Sequence, residues 1–274
     1  MEIKISKGKK KMPLRICGHG RDGQGKSTFG KDSLFVDVEG GINNIDCESI
    51  NCVNQPPDHF MDVLRYIAKN YKDIKQDTIT IDSIDWVERM VHKQICDDRG
   101  VTSGSINDKK LAFGVGHQIA ASKFREILNA LDHIRELGFN IYLISHSKVV
   151  SVEDPNLDPY DRWDLALQKN VRNYVREWCD IVAYIAMETF TKKQESDFGA
   201  TKFKPTSTGR RLLYIGNNPS YESKTRIQLP DTIDLDWAAF MSAIDDSIAE
   251  GNTAKTKTKT EKNDGTTNKD GIRL

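Results

Sequence analysis

Short apolar runs alternate with amphipathic stretches along most of this chain. Residues 14–17 (LRIC) give a strand signal that runs into a glycine-rich segment, GHGRDGQGKSTFG, at 18–30. SLFVDV (33–38), TITID (78–82), NIYLIS (140–145) and DIVAYIAME (180–188) are continuous apolar, β-branched runs, the pattern of strands buried on both faces. Helical periods lie between them. Phe60, Val63, Leu64 and Ile67 recur at helix spacing within 58–71, and 84–95 reads the same way. Residues 121–138 carry the strongest face: Phe124, Ile127, Leu128, Leu131, Ile134 and Leu137 align, and Gly138 suits the C-cap. Residues 168–178 and 235–249 are further helices, and a short one follows the glycine-rich segment from Lys26 to Lys31. The polar stretches 97–117 and 147–165 are predicted as loops.

Strands apolar on both faces, separated by helices, imply an α/β fold with a mostly parallel central sheet flanked by helices. RRLLYIG (210–216) and KTRIQL (224–229) are predicted to close the sheet as an antiparallel pair. Residues 1–12 are basic and polar, an arm or an edge strand, and 13–249 form one domain. Residues 250–274 have no apolar periodicity and are expected to be a disordered polar tail.

Composition adds little. Lys plus Arg and Asp plus Glu both number 40 among 274 residues, so any polyanion-binding surface must be local. Cys17, Cys47, Cys52, Cys96 and Cys179 are scattered without zinc-ligand spacing, and reduced thiols are expected. No apolar run is long enough to span a membrane and no signal peptide is evident, so a cytoplasmic location is expected.

The chemistry starts at the glycines. Gly20-Arg-Asp-Gly-Gln-Gly-Lys-Ser27 fits G-x-x-x-x-G-K-[ST] between a strand and a helix, a context specific to phosphate-binding loops. Gly20, Gly23 and Gly25 let backbone N–H groups close around a phosphate, joined by Thr28 at the start of the following helix. Lys26 is placed for the β- and γ-phosphates of ATP, and the Ser27 hydroxyl for Mg²⁺. Asp82, ending TITID, suits a second Mg²⁺ anchor. Glu39, ending SLFVDVE, is the candidate base for the attacking water, since ligands of an open α/β sheet bind beyond the carboxyl ends of its strands. His146 ends a third buried strand at the same edge and suits a γ-phosphate contact. Each of the three strand-end residues also suits an ordinary capping or solvated role.

These strand ends, in this order, resemble the RecA-type ATPase core. LFVDVEGGINNID is similar to the strand carrying that family's catalytic glutamate, DTITIDSID to its Walker B strand, and NIYLISHSK to the segment ending in its polar γ-phosphate sensor. YESKTRIQLP resembles the Lys-rich strand that reaches a neighbouring subunit's ATP, which implies Lys224 and Arg226 as cations acting across an interface. The short helix before VDVEGG, the segment YDRWDLALQKNVRNYVREWCDIVAYI and the K-x-R-x-x-L-P run resemble the compact, phage-encoded, Sak-type RecA-like single-strand annealing proteins, over roughly residues 13–240. The resemblance implies an ATPase, stimulated by single-stranded DNA, that assembles as a ring or filament and promotes annealing, with a single-strand-binding protein as a further partner. DNA contacts would then fall on Arg99, Lys109, Lys110 and Phe113 in one loop, and on Lys148, Lys169, Arg172 and Arg176 flanking the other. Acids at Glu153, Asp154, Asp158, Asp161 and Asp164 disfavour contact along the second. A nucleotide-gated scaffold without DNA pairing and a P-loop small-molecule kinase remain alternatives. The 97–117 loop offers the kinase only one arginine for a lid, Arg99.

Overall fold

The computed structural model describes residues 12–195 and 201–260. Residues 1–11 of the basic arm and 261–274 of the tail lie outside the described residues. In chain order the first half comprises β1 (Arg15–Gly20), α1 (Lys26–Phe29), β2 (Leu34–Asp37), β3 (Glu48–Asn51), α2 (Pro57–Lys69), β4 (Thr78–Asp82) and α3 (Ile84–Asp98). A short 3-10 turn at Lys109–Leu111 precedes α4 (Val115–Glu136). Then come β5 (Asn140–Val152), β6 (Tyr160–Leu165), α5 (Lys169–Trp178), β7 (Ile181–Glu195), β8 (Thr201–Tyr214), β9 (Lys224–Thr225), β10 (Thr232–Asp234) and α6 (Trp237–Thr260).

The main sheet runs β10-β8-β7-β1-β5-β4-β2-β3. From β7 to β3 the pairing is parallel, and β8 and β10 add an antiparallel edge. Side-chain parity explains the continuous apolar runs. On one face Cys17, Val36, Ile79, Ile81, Ile141, Leu143 and Val182 pack against α2, α3, α4 and α5. On the other, Ile16, Phe35, Tyr142, Ile144, Ala183 and Ile185 meet Phe29 of α1 and Phe240 and Ile244 of α6. A strand covered on both faces is apolar along most of its length, and an interior polar side chain such as Thr80 meets an internal partner, here the Ser33 hydroxyl.

Four local expectations are corrected. Residues 147–165 are not a loop: β5 continues to Val152 and pairs antiparallel with β6, Ser147 opposite Leu165 and Val152 opposite Tyr160. The β-branched run VVSV drives this pairing, and the acids and proline between the strands mark its turn. Residues 210–216 and 224–229 do not pair with each other. β8 pairs with β7 and β10, while β9 pairs with the start of β7. Helix α4 starts at Val115, within the stretch expected to be loop. Helix α6 extends to Thr260, past the expected boundary at 249. The short edge strand β3 is also new. Its exposed, polar sequence ESIN carries no strand signal, and it forms because β2 offers a free edge. No helix among the described residues is long and apolar enough to cross a membrane.

Candidate active site

Strand order builds the site. β5 lies between β1, which leads into the glycine loop, and β4, which ends in Asp82; β2 follows on the far side of β4. All four run parallel, so their carboxyl ends open at one edge. There Asp22, Gly23, Gly25, Lys26, Ser27, Thr28, Glu39, Asp82 and His146 line one cavity of about 300 Å³. Of the predicted site residues, this edge gathers the glycine-loop set and the three strand-end side chains.

The loop's glycines answer to local geometry. A Cβ on Gly20 would collide with the Ile185 carbonyl oxygen of β7. Gly25 has φ 93°, and a Cβ there would lie 2.9 Å from Leu235 Cδ2. Both positions require glycine. Lys26 Nζ donates to the carbonyl oxygens of Gly20 and Arg21, each at 3.0 Å, which curls the side chain back over the loop. Burial lowers its pKa. Helix α1 has four residues, so its dipole is small. Affinity for an anion rests on the loop N–H groups and Lys26.

Ser27 Oγ donates to Asp82 Oδ2 at 2.6 Å. Burial pushes the Asp82 carboxyl up to about 6; the Ser27 bond opposes this, and nearby Glu39 and Asp37 add to it. A hydroxyl and a carboxylate, both hard oxygen donors, beside an excess of buried negative charge fit Mg²⁺. These two residues would hold it. The raised pKa also sets a stability prediction. A carboxyl whose folded pKa exceeds its unfolded value stabilises at low pH, and that contribution is lost as pH rises through about 6. Asp82→Asn removes the charge and keeps an acceptor for Ser27. In Mg²⁺-free, nucleotide-free protein it is expected to stabilise by about 2 kcal/mol at pH 8 and by little near pH 4. Urea unfolding at the two pH values measures this, and a variant less stable than wild type at pH 8 would refute it.

Glu39 is tied to Asp82 through the backbone: the amides of Val38 and Glu39 both donate to the Asp82 carbonyl oxygen, at 2.7 and 3.1 Å. Its Oε2 accepts from Ser83 Oγ at 2.9 Å, and its Oε1 lies 3.5 Å from His146 Nε2. His146 is held at the opposite nitrogen. Asp85 Oδ2 lies 3.0 Å from His146 Nδ1, and Asp85 Oδ1 accepts from the His146 amide at 3.0 Å. The Asp85 bond raises the His146 pKa against the cost of burial. Nε2 also faces Asp22 Oδ1 at 3.3 Å. Imidazole and carboxylate thus point into one cavity, each fixed by a neighbour. Ser83 and Asp85 are the positioning residues that pattern reading missed, although both lie within three residues of the predicted Asp82.

Lys224 and Arg226 lie elsewhere. β9 pairs with the first residues of β7, at the amino end of the parallel sheet, opposite the glycine loop. Lys224 Nζ caps α5 by donating to the carbonyl oxygens of Arg176 and Cys179, at 2.7 and 2.9 Å. Arg226 Nη1 donates to Asp180 Oδ1 at 2.9 Å. The predicted DNA contacts divide. Lys148 donates to the Leu167 carbonyl oxygen, Arg172 faces buried Asp164 at 3.5 Å and Arg176 donates to Glu222 at 3.1 Å. Arg99, Lys109, Lys110 and Lys169 are exposed, Lys110 with its Nζ on the Gly100 carbonyl oxygen. Phe113 is fully exposed with φ 58°, an uncommon conformation for a bulky residue. The five cysteines are unpaired.

Residues 12–227 match the family model of an AAA domain. No curated protein matches the chain.

Proposed function

We infer that this chain, which belongs to the AAA domain family of P-loop nucleotide-binding ATPases, is a DNA-stimulated ATPase that binds single-stranded DNA as a homo-oligomer and promotes strand annealing. The observation that carries the ATPase part is the single cavity that unites Lys26, the Ser27–Asp82 pair, Glu39 and His146. Lys26 leaves the Gly20 and Arg21 carbonyls to meet the β- and γ-phosphates. Mg²⁺, when bound, neutralises phosphate charge. Glu39, aimed by Ser83, takes a proton from water as the water oxygen bonds to the γ-phosphorus and the bond to the ADP oxygen breaks. His146, whose pKa the Asp85 bond raises, presents Nε2 to the γ-phosphate oxygens, where negative charge must be held.

The DNA part is supported by the loop before α4. An aromatic ring fully in water, with Arg99, Lys109 and Lys110 in the same loop, suits base stacking beside phosphate neutralisation. The oligomer part rests on the resemblance of the Lys224–Arg226 segment alone; within the chain Lys224 caps α5 and Arg226 meets Asp180, and an interface role would require them to leave these partners. One observation favours the scaffold alternative instead. Lys148, Arg172 and Arg176 are committed to internal partners, which withdraws the second loop's cations from DNA.

Fluorescence anisotropy with a labelled oligo(dT) separates the two. Phe113→Ala is expected to weaken binding about tenfold, the effect of one lost stacking contact. The side chain contacts solvent alone, so stability should not change. If wild type fails to bind the oligonucleotide at moderate salt, the annealing reading is wrong and the scaffold reading stands.

A further inference from the structure

A second cavity, of about 450 Å³, adjoins the phosphate cavity. Gly25, Thr28 and Arg211 line both. Glu39, Asp82 and His146 line the first alone, whereas Gly209, Arg210 and Leu235 line the second alone. The shared residues therefore mark a boundary, with the hydrolytic groups on one side and an open space on the other.

Arg211 comes from β8, on the antiparallel edge, and its place is fixed through the backbone. It pairs with Met187 of β7, and the Met187 amide donates to Gln24 Oε1 of the glycine loop at 2.9 Å. The Arg211 carbonyl accepts from the Leu235 amide at 3.0 Å. Arg211 Nη1 lies 3.5 Å, and its Cδ 3.4 Å, from where a Cβ on Gly25 would stand. Neighbouring Arg210 is taken by Asp234 at 2.7 Å. Arg211, by contrast, makes no ion pair or side-chain hydrogen bond among the described residues. A guanidinium left unpaired at the rim of an anion cavity is a ready partner for phosphate oxygens, which its planar fork matches in two-point contact.

We propose that Arg211 binds the α-phosphate of the nucleotide and that the 450 Å³ cavity beyond it takes the ribose and base. The proposal rests on the nucleotide-binding reading above. The terminal phosphate belongs beside Glu39 and His146. The phosphate nearest the boundary is then the one attached to the nucleoside.

This placement makes a distinction that a γ-phosphate contact does not. ADP and ATP both carry the α-phosphate, so loss of Arg211 must weaken both equally. Titration calorimetry with ADP and with a non-hydrolysable ATP analogue, each with Mg²⁺, is the test, on wild type, Arg211→Ala, Arg211→Lys and Lys26→Ala. Arg211→Ala is expected to raise both dissociation constants by the same factor, about tenfold, with Arg211→Lys in between. A selective loss of the ATP analogue would overturn the proposal by moving Arg211 to the terminal phosphate. Unchanged affinities in Arg211→Ala beside weakened ones in Lys26→Ala would overturn it by removing Arg211 from the site. If wild type binds neither nucleotide, the nucleotide-binding reading fails and the proposal falls with it.

Discussion

Glu39→Gln is expected to lower ATP turnover about 10²- to 10⁴-fold while leaving Mg²⁺–ATP binding nearly intact, the range for loss of a positioned general base. The substitution keeps length and hydrogen-bonding shape, so Ser83 Oγ can still meet the side chain at the position where it now bonds Oε2. It removes the capacity to take a proton from water. It also removes a negative charge near Asp82, where burial and the Glu39 and Asp37 charges already push the carboxyl up to about 6. Less repulsion there should hold binding steady or tighten it. Phosphate release in steady state, with retained nucleotide measured on the same samples, reads both quantities. Loss of binding in step with turnover would assign Glu39 to the nucleotide or the metal instead of to the water.

Asp180→Ala is expected to cost about 3–5 kcal/mol of stability, the range for removing one partner of a buried ion pair. Asp180 closes the other end of the sheet. Its side chain is 12% exposed, with Arg15 Nη2 at 2.9 Å, Arg226 Nη1 at 2.9 Å and Arg135 Nη2 at 3.9 Å. The Arg15 amide also donates to it at 3.0 Å. Deleting the carboxylate leaves three guanidinium groups facing one another and orphans a backbone donor. Burial alone would raise the Asp180 pKa, but the Arg15 and Arg226 bonds outweigh it and the net shift is downward. The sign follows. A depressed folded pKa gives stability that is present above the unfolded carboxyl pKa and lost as pH falls through the folded value. The cost of Asp180→Ala should therefore be full at neutral pH and shrink in strong acid. Urea midpoints at constant m-value test it, and a loss below about 1 kcal/mol at pH 7 would show that the cluster contributes little.

Much of this architecture was legible because both faces of its sheet are covered. Strands such as TITID and NIYLIS are buried along nearly their whole length, polar Thr80 and Tyr142 included, and their ends then stand out as Asp82 and His146. The glycine loop was legible because its residue types have a geometric cause: Gly25 needs both a positive φ and room beside Leu235. Pairing beyond the covered sheet was not legible. The β5–β6 hairpin alternates exposed and half-buried positions, and acids crowd its turn, so it reads as loop. The partners of Lys224 and Arg226 could not be read either, because the α5 carbonyls and Asp180 meet them only through the fold. Arg211 gave no signal. It stands in a basic pair, and only the register of β8 on β7 decides that one arginine meets Asp234 while the other faces the glycine loop.

The most direct measurement is phosphate release from Mg²⁺–ATP by the wild-type chain, with and without single-stranded DNA, with the bound nucleotide identified afterwards. One phosphate is expected for each ADP formed, with a faster rate in the presence of DNA. Recovery of the bound nucleotide as intact ATP under both conditions would contradict this.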